Sequence, residues 1–146
     1  MPPSTRPAAR EPKTIFTADD IIHSHTRADM LADGDLVDVS TVAREAGFKI
    51  PVAVSRAVWE DCIAWSDADT RRKGVPQDES GRLWDVVYMA RVFAARNAQG
   101  NRAAFPVYRV PRSGRGQRPR LVTLYLHLGH DDDGAPAMTI MQPRED

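Results

Sequence analysis

Two histidines and an arginine stand close together near the start of the chain, in a pattern that could support catalysis. His23, His25 and Arg27 fall within a five-residue stretch, and Asp85 adds a carboxylate further along. A histidine at the head of a helix beside a carboxylate can act as a general base near neutral pH, and an arginine can hold an anionic substrate. A small enzyme that uses His23 and Arg27 is therefore one of three hypotheses.

These residues do not form a known metal or cofactor motif. His23 and His25 would share one face of a strand but would lie about 200° apart on a helix, and no acidic ligand stands at a diagnostic spacing from them. Ser24 lacks the glycines of a nucleophile elbow. No glycine-containing stretch matches a phosphate-binding loop or a dinucleotide fingerprint. We therefore predict neither a metal site nor a cofactor.

A run of arginines provides a second kind of candidate site, one that would bind anions. The chain has a formal net charge of zero, yet residues 86–130 contain eight arginines and no acid. The candidate binding residues are Arg109, Arg112, Arg115, Arg118 and Arg120. Arginines on a hairpin can follow a phosphate backbone and release counterions, while Tyr108 or Tyr125 could stack on bases. Nucleic-acid binding through the hairpin from Arg112 to Arg120 is the second hypothesis.

Two observations oppose nucleic-acid binding. Residues Asp131 to Asp133 form an acidic turn at the other end of the strand that follows the arginine-rich hairpin. The sequence also contains no helix-turn-helix, ribonucleoprotein or zinc-finger signature. The arginines alone therefore do not decide the function.

Length and composition indicate one small domain. The chain has 146 residues, of which 42% are hydrophobic, enough for a single core. Residues 1–13 are rich in proline, alanine and arginine and are predicted to be a disordered arm, which leaves 14–146 as the domain. The single cysteine, Cys62, is predicted to be a small buried hydrophobe. No apolar run approaches the ~20 residues that cross a bilayer, so we expect a cytoplasmic protein without membrane contact.

Capping signals predict where the helices lie. Thr26 and Asp29 form a capping box for a helix from Arg27 to Ala32, which Gly34 would end. The same reasoning predicts helices through residues 42–46, 56–66 and 82–97, the last with a continuous apolar stripe. Residues 67–81 are highly polar and are predicted to be a long surface loop.

Beyond residue 97 the hydrophobic period changes to two, as in strands. Strands are predicted over residues 104–110, 121–128 and 138–141, joined by two hairpin turns. Pro106 is expected at a sheet edge, because proline cannot donate to a ladder. The predicted fold class is α+β, with three or four helices packed on one face of a small antiparallel β-meander of about three C-terminal strands.

Several blocks of the sequence resemble an uncharacterised family of small proteins encoded on plasmids and conjugative elements. They are the stretch from His23 to Ser40, Arg56 to Trp59, Asp78 to Val86, and Arg118 to Thr123. The chain departs from the family pattern at His25, where that pattern has tyrosine, so the resemblance implies no metal site there. It implies a genetic context and not a mechanism.

The leading hypothesis is a small protein-interaction module that a mobile element uses to act on a host or plasmid protein. It is supported by the implied genetic context, the separation of acidic and basic regions along the chain, and the lack of a catalytic constellation. Trp84 and Tyr88 could form a partner-binding edge on the long helix, although aromatic pairs more often pack beneath loops. The sequence does not predict the oligomeric state.

Overall fold

The polypeptide forms an α+β fold on one six-stranded sheet, in a computed structural model that describes residues 26–145. Its helices are α1 (Arg27–Asp33), α2 (Ser40–Ala46), α3 (Arg56–Val58), α4 (Asp67–Lys73) and α5 (Glu79–Asn97). Its strands are β1 (Leu36–Asp38), β2 (Val52–Ser55), β3 (Ala98–Gln99), β4 (Arg102–Arg109), β5 (Arg120–His130) and β6 (Pro136–Met141). A π-helical segment, Trp59–Ile63, continues α3, and a 3-10 turn, Pro143–Glu145, follows β6. The predicted disordered arm lies outside the described residues.

The sheet is larger than the predicted three-stranded meander, and it is mixed. Its strand order is β1-β2-β6-β5-β4-β3. The predicted antiparallel pairing of β4 with β5 and of β5 with β6 is confirmed. However, β2 joins β6 in parallel, with Val52 opposite Met138, and β1 adds to β2. Residues 36–39 and 48–52 read as brief extended segments in the sequence, but the pairing of β2 with β6 has no local signal, because a parallel pair is joined by a long crossover without a hairpin turn.

The hydrophobic core lies between one face of the sheet and the helices α2, α3 and α5. Phe105 and Val107 of β4 face it together with Leu124 and Leu126 of β5. The other buried core residues are Val39, Ala43, Phe48, Val52, Val54, Val58, Cys62, Ile63, Val86, Val87, Ala90 and Ile140. Cys62 is thus a buried hydrophobe, as predicted, and the apolar stripe of the long helix faces the sheet.

The helices do not all pack on one face, contrary to the prediction. Arg27, at the start of α1, donates to the hydroxyl of Thr139 at 2.8 Å. Thr139 points away from the core, because its neighbours Met138 and Ile140 pack into it. On that same face the hydroxyl of Ser55 donates to Glu145 in the 3-10 turn at 2.7 Å. The second face of the sheet is therefore covered at its β2 and β6 end.

The predicted surface loop over residues 67–81 is wrong, because α4 occupies its first half. Ser66 and Asp69 form a capping box for α4, and Gly74 ends it with φ of 69°. Sequence periodicity missed this helix because the residues that α4 buries are charged, Asp69 and Lys73. The preceding helix also ends at Ile63, three residues before the predicted end.

Other local predictions are confirmed. Thr26 and Asp29 form the expected capping box of α1, and Gly34 ends that helix with φ of 82°. Pro106 lies on an edge, since β3 pairs with β4 only at Ala103 and Arg102. None of the helices in residues 26–145 is long and apolar enough to cross a lipid bilayer.

Candidate nucleic-acid interface

The connection between β4 and β5, residues 110–119, is called the arginine loop here, and α4 holds it in place. The ammonium group of Lys73 donates to the carbonyl oxygens of Ser113 at 3.3 Å and Gly114 at 3.1 Å. The side chain of Gln117 donates in return to the carbonyl of Lys73 at 2.8 Å. Lys73 is buried, and loss of hydration lowers its pKa. The loop is therefore ordered by hydrogen bonds to a helix.

Asp69 of α4 binds the first arginine of the loop. One carboxylate oxygen accepts from Nε of Arg112 at 2.8 Å, and the other accepts from Arg72 at 2.8 Å. The same Arg72 guanidinium donates to the carbonyl of Arg112 at 2.7 Å. Chiefly through Arg72, and then through Ser66 and Arg112, these donors hold the pKa of the Asp69 carboxyl well below its ordinary range. Arg112 is thus paired with a carboxylate that it shares with Arg72.

A second predicted binding arginine, Arg109, is also paired with a carboxylate. Its guanidinium lies 3.1 Å from both carboxylate oxygens of Asp61. Asp61 belongs to the π-helical segment, which closes with a bond from the Ala64 amide to the Trp59 carbonyl at 2.7 Å. Arg109 and Arg112, at the base of the loop, therefore form ion pairs that join elements of the fold.

The remaining three predicted arginines are available to a partner. Arg115, Arg118 and Arg120 are exposed, and their side chains form no hydrogen bond or ion pair with any residue in the described range 26–145. Arginine presents a planar fork of donors that matches phosphate and carboxylate geometry. The ordered loop thus carries two exposed guanidinium groups, and Arg120 at the start of β5 adds a third.

Next to the loop, no α-helix of the described residues 26–145 packs on the second face of β4 and β5, which is called the open face here. Among the residues that alternate with the core positions of these two strands, it includes Arg102, Tyr108, Leu121, Thr123, Tyr125 and His127. Tyr108 and Leu121 lie directly opposite each other and are 65% and 54% exposed. The guanidinium of Arg102 lies 4.2 Å from the ring centroid of Tyr125. The open face is therefore aromatic and cationic.

Arg27, a candidate catalytic residue, binds α1 to the sheet through hydrogen bonds. Besides Thr139, it donates to the Met138 carbonyl at 2.8 Å, and the carboxylate of Asp132 accepts from the Arg27 amide at 2.9 Å. Loss of hydration lowers the pKa of Arg27, an effect that the nearby carboxylates oppose. It lines a cavity of about 610 Å³ with His130 and Glu145. His23 and His25 lie outside the described residues.

Asp85, the other catalytic candidate, is placed elsewhere. It is an exposed residue of α5, and partial burial raises the pKa of its carboxyl while the Arg82 charge opposes that rise. It lines a cavity of about 140 Å³ beside Arg109, and no residue of that cavity also lines the one at Arg27. The structure thus does not bring Asp85 and Arg27 together. Among residues 26–145, no group of three or more His, Cys, Asp or Glu side chains could hold a metal ion.

Comparison with known protein families identifies the family of this chain. The model of a family of unknown function, DUF6573, matches residues 13–146. The chain belongs to DUF6573. No curated protein and no solved structure matches it. The DUF6573 match confirms the resemblance to an uncharacterised family, and it includes the arginine loop, the open face and every catalytic candidate.

The sequence analysis missed the residues of this DUF6573 chain that position the loop. The polar composition of residues 67–81 predicts a long surface loop that includes Lys73 and Asp69, although Ser66 and Asp69 have the spacing of a capping box. That spacing is the signal that could have predicted α4. The long-range bonds from Lys73 to residues 113 and 114 leave no local signal.

Proposed function

We propose that this protein binds nucleic acid through Arg115, Arg118 and Arg120, as a small accessory protein of a plasmid or other mobile element acting in the cytoplasm. The proposal rests on a difference among the five candidate arginines in whether they form ion pairs within the fold. Arg109 and Arg112 are paired with carboxylates at the base of the loop, whereas Arg115 and Arg118 in the loop and Arg120 at the start of β5 are exposed. Exposed arginines that form no ion pair within the fold can contact phosphates.

The form of the arginine loop favours an extended anion over a small one. The three free arginines span six positions, from the exposed loop to the first residue of β5, and line none of the described cavities. A polyanion can contact several such cations at once and release counterions from each phosphate it engages. Because hydrogen bonds to α4 already order the loop, binding would cost little further conformational entropy.

A charge-matched pair of triple variants tests the proposal. The test variant changes Arg115, Arg118 and Arg120 to Gln, and the control variant changes Arg44, Arg91 and Arg96 to Gln. Both have the same net charge, but the control residues lie on α2 and α5. We expect the test variant to bind an oligonucleotide at least about tenfold more weakly than the native chain at ~50 mM salt.

The salt dependence gives the second measurement. A plot of log affinity against log salt concentration should become shallower by about 2 to 3 in the test variant, because each phosphate contact contributes ~0.7 to 0.9 to its slope. The control variant should keep the native slope. Equal losses in both variants, or no binding by the native chain at ~50 mM salt, would contradict the proposal.

Trp84 and Tyr88 support a second candidate function, a protein-interaction module. Their rings stack on α5 with centroids 5.7 Å apart, and the residues are 37% and 47% exposed. The sequence pattern favours packing of these two rings beneath loops, but the structure places both at the surface. Exposed aromatic pairs are typical of protein interfaces. Affinity capture from host lysate should retain a stoichiometric protein that a Trp84→Ala/Tyr88→Ala variant loses, if this function is correct.

A further inference from the structure

We infer that the nucleic acid is single-stranded, DNA or RNA, and that the open face binds it by stacking unpaired bases on Tyr108; this inference rests on the proposed function. A duplex keeps the faces of its bases buried against one another, so a protein can stack on them only when the strand is unpaired. The inference therefore depends on an exposed ring placed beside phosphate-binding groups.

Tyr108 provides such a ring. It is 65% exposed, and its cross-strand partner Leu121 is 54% exposed. The ring stands on a strand of the sheet and not on the loop, which fixes its position. A planar aromatic ring flanked by an aliphatic side chain offers a base an apolar surface that does not depend on base identity.

A second stacking position lies further along the same face. The guanidinium of Arg102 is 4.2 Å from the ring centroid of Tyr125, and both planar guanidinium groups and aromatic rings accept bases. Tyr125 lies opposite Ala104, four positions along β4 from Tyr108. That offset is about 14 Å at the rise of a strand, so two bases of one strand could be held at once.

The charge around the open face matches a strand that runs from the loop along β5. Arg118 lies in the loop three positions before Leu121, so a phosphate can contact it while the bases lie on Tyr108, whereas Arg120 points to the other face of β5. No acid occurs in residues 86–130, which supply the whole open face. Asp131 to Asp133 follow at the far end of β5 and would limit the bound length there.

Substitutions of Tyr108 test this inference. The probes are a short single-stranded DNA, the RNA of the same sequence, and the DNA duplexed with its complement, all at ~50 mM salt. We expect Tyr108→Ala to weaken single-strand binding by about 5- to 100-fold, since one stacked base contributes ~1 to 3 kcal/mol. Binding of the duplex should stay within about twofold, as phosphate contacts suffice for it.

Two control variants accompany this test. Tyr108→Phe keeps the ring and should bind as the native chain does, and Leu31→Ala removes an exposed apolar side chain from α1 and should leave binding unchanged. Unchanged single-strand binding by Tyr108→Ala, or a native preference for duplex, would overturn the inference and leave the proposed function standing. Absence of binding to all three probes would overturn both. Whichever of the single-stranded DNA and RNA binds with the higher affinity identifies the natural ligand.

Discussion

Arg82 is a buried cation that ties three elements of the fold together. Its Nε donates to the carbonyl of Ile63 at 3.0 Å, and Nη1 donates to the carbonyl of Val110 at 2.9 Å. Its guanidinium also lies 4.8 Å from the ring centroid of Trp65. Loss of hydration lowers the pKa of Arg82, but an arginine stays charged in a protein. The side chain thus joins the π-helical segment to α5 and to the start of the arginine loop.

We expect Arg82→Met to lower the free energy of unfolding by about 3 kcal/mol. The substitution keeps the aliphatic bulk but leaves buried carbonyls without donors, and each bond to a charged donor contributes ~1.5 to 3 kcal/mol. Urea denaturation measures the change. Arg71→Met, at an exposed position of α4, should change stability by less than about 0.5 kcal/mol. Equal effects in the two variants would exclude this role.

Asp69 predicts a pH dependence of stability. Because the folded protein lowers the pKa of this carboxyl, Asp69 stabilises the fold above its ordinary pKa of 3.8, and this contribution is lost as the pH falls below that value. The melting temperature of the native chain should exceed that of Asp69→Asn at pH ~7, and the difference should shrink in acid. A difference that stayed constant from neutral pH into acid would show that Asp69 does not act through its charge.

At the scale of elements, α4 matters most to the candidate site, because it orders the arginine loop. Ser66→Ala removes its N-cap and should cost about 1 kcal/mol of stability. Amides of residues 112–117 should then exchange with solvent faster than in the native chain. Thr26→Ala removes the matching cap of α1 and should leave exchange in the loop unchanged. If the amides of residues 112–117 exchange at the same rate in Ser66→Ala and Thr26→Ala, α4 does not order the loop.

Elements with local signals could be predicted from sequence, and those held by distant contacts could not. The α1 capping box and the alternation in β4 and β5 are encoded by neighbouring residues, and the structure confirms them. In contrast, α4 buries Asp69 and Lys73 in place of an apolar stripe, so periodicity indicates a loop. The candidate arginines were identifiable by type, but their division into paired and exposed groups depends on Asp61 and Asp69 from other elements.

At the scale of the whole molecule, folding partly cancels the charge separation seen along the chain. Carboxylates of the acidic first half reach the base of the arginine loop and pair with Arg109 and Arg112 there. The positive charge that remains is carried by the outer part of the loop and by the open face. A chain with zero formal charge can therefore still present a local cationic surface.

The strand β6 lies in the middle of the sheet, between β2 and β5, although it is later in the chain than every other strand. During translation, β1 with β2 and β4 with β5 leave the ribosome before the segment that unites them. Until then each pair has an open edge and an exposed apolar face, a state prone to association with other nascent chains. Insertion of residues 136–141 between the two pairs closes both open edges at once.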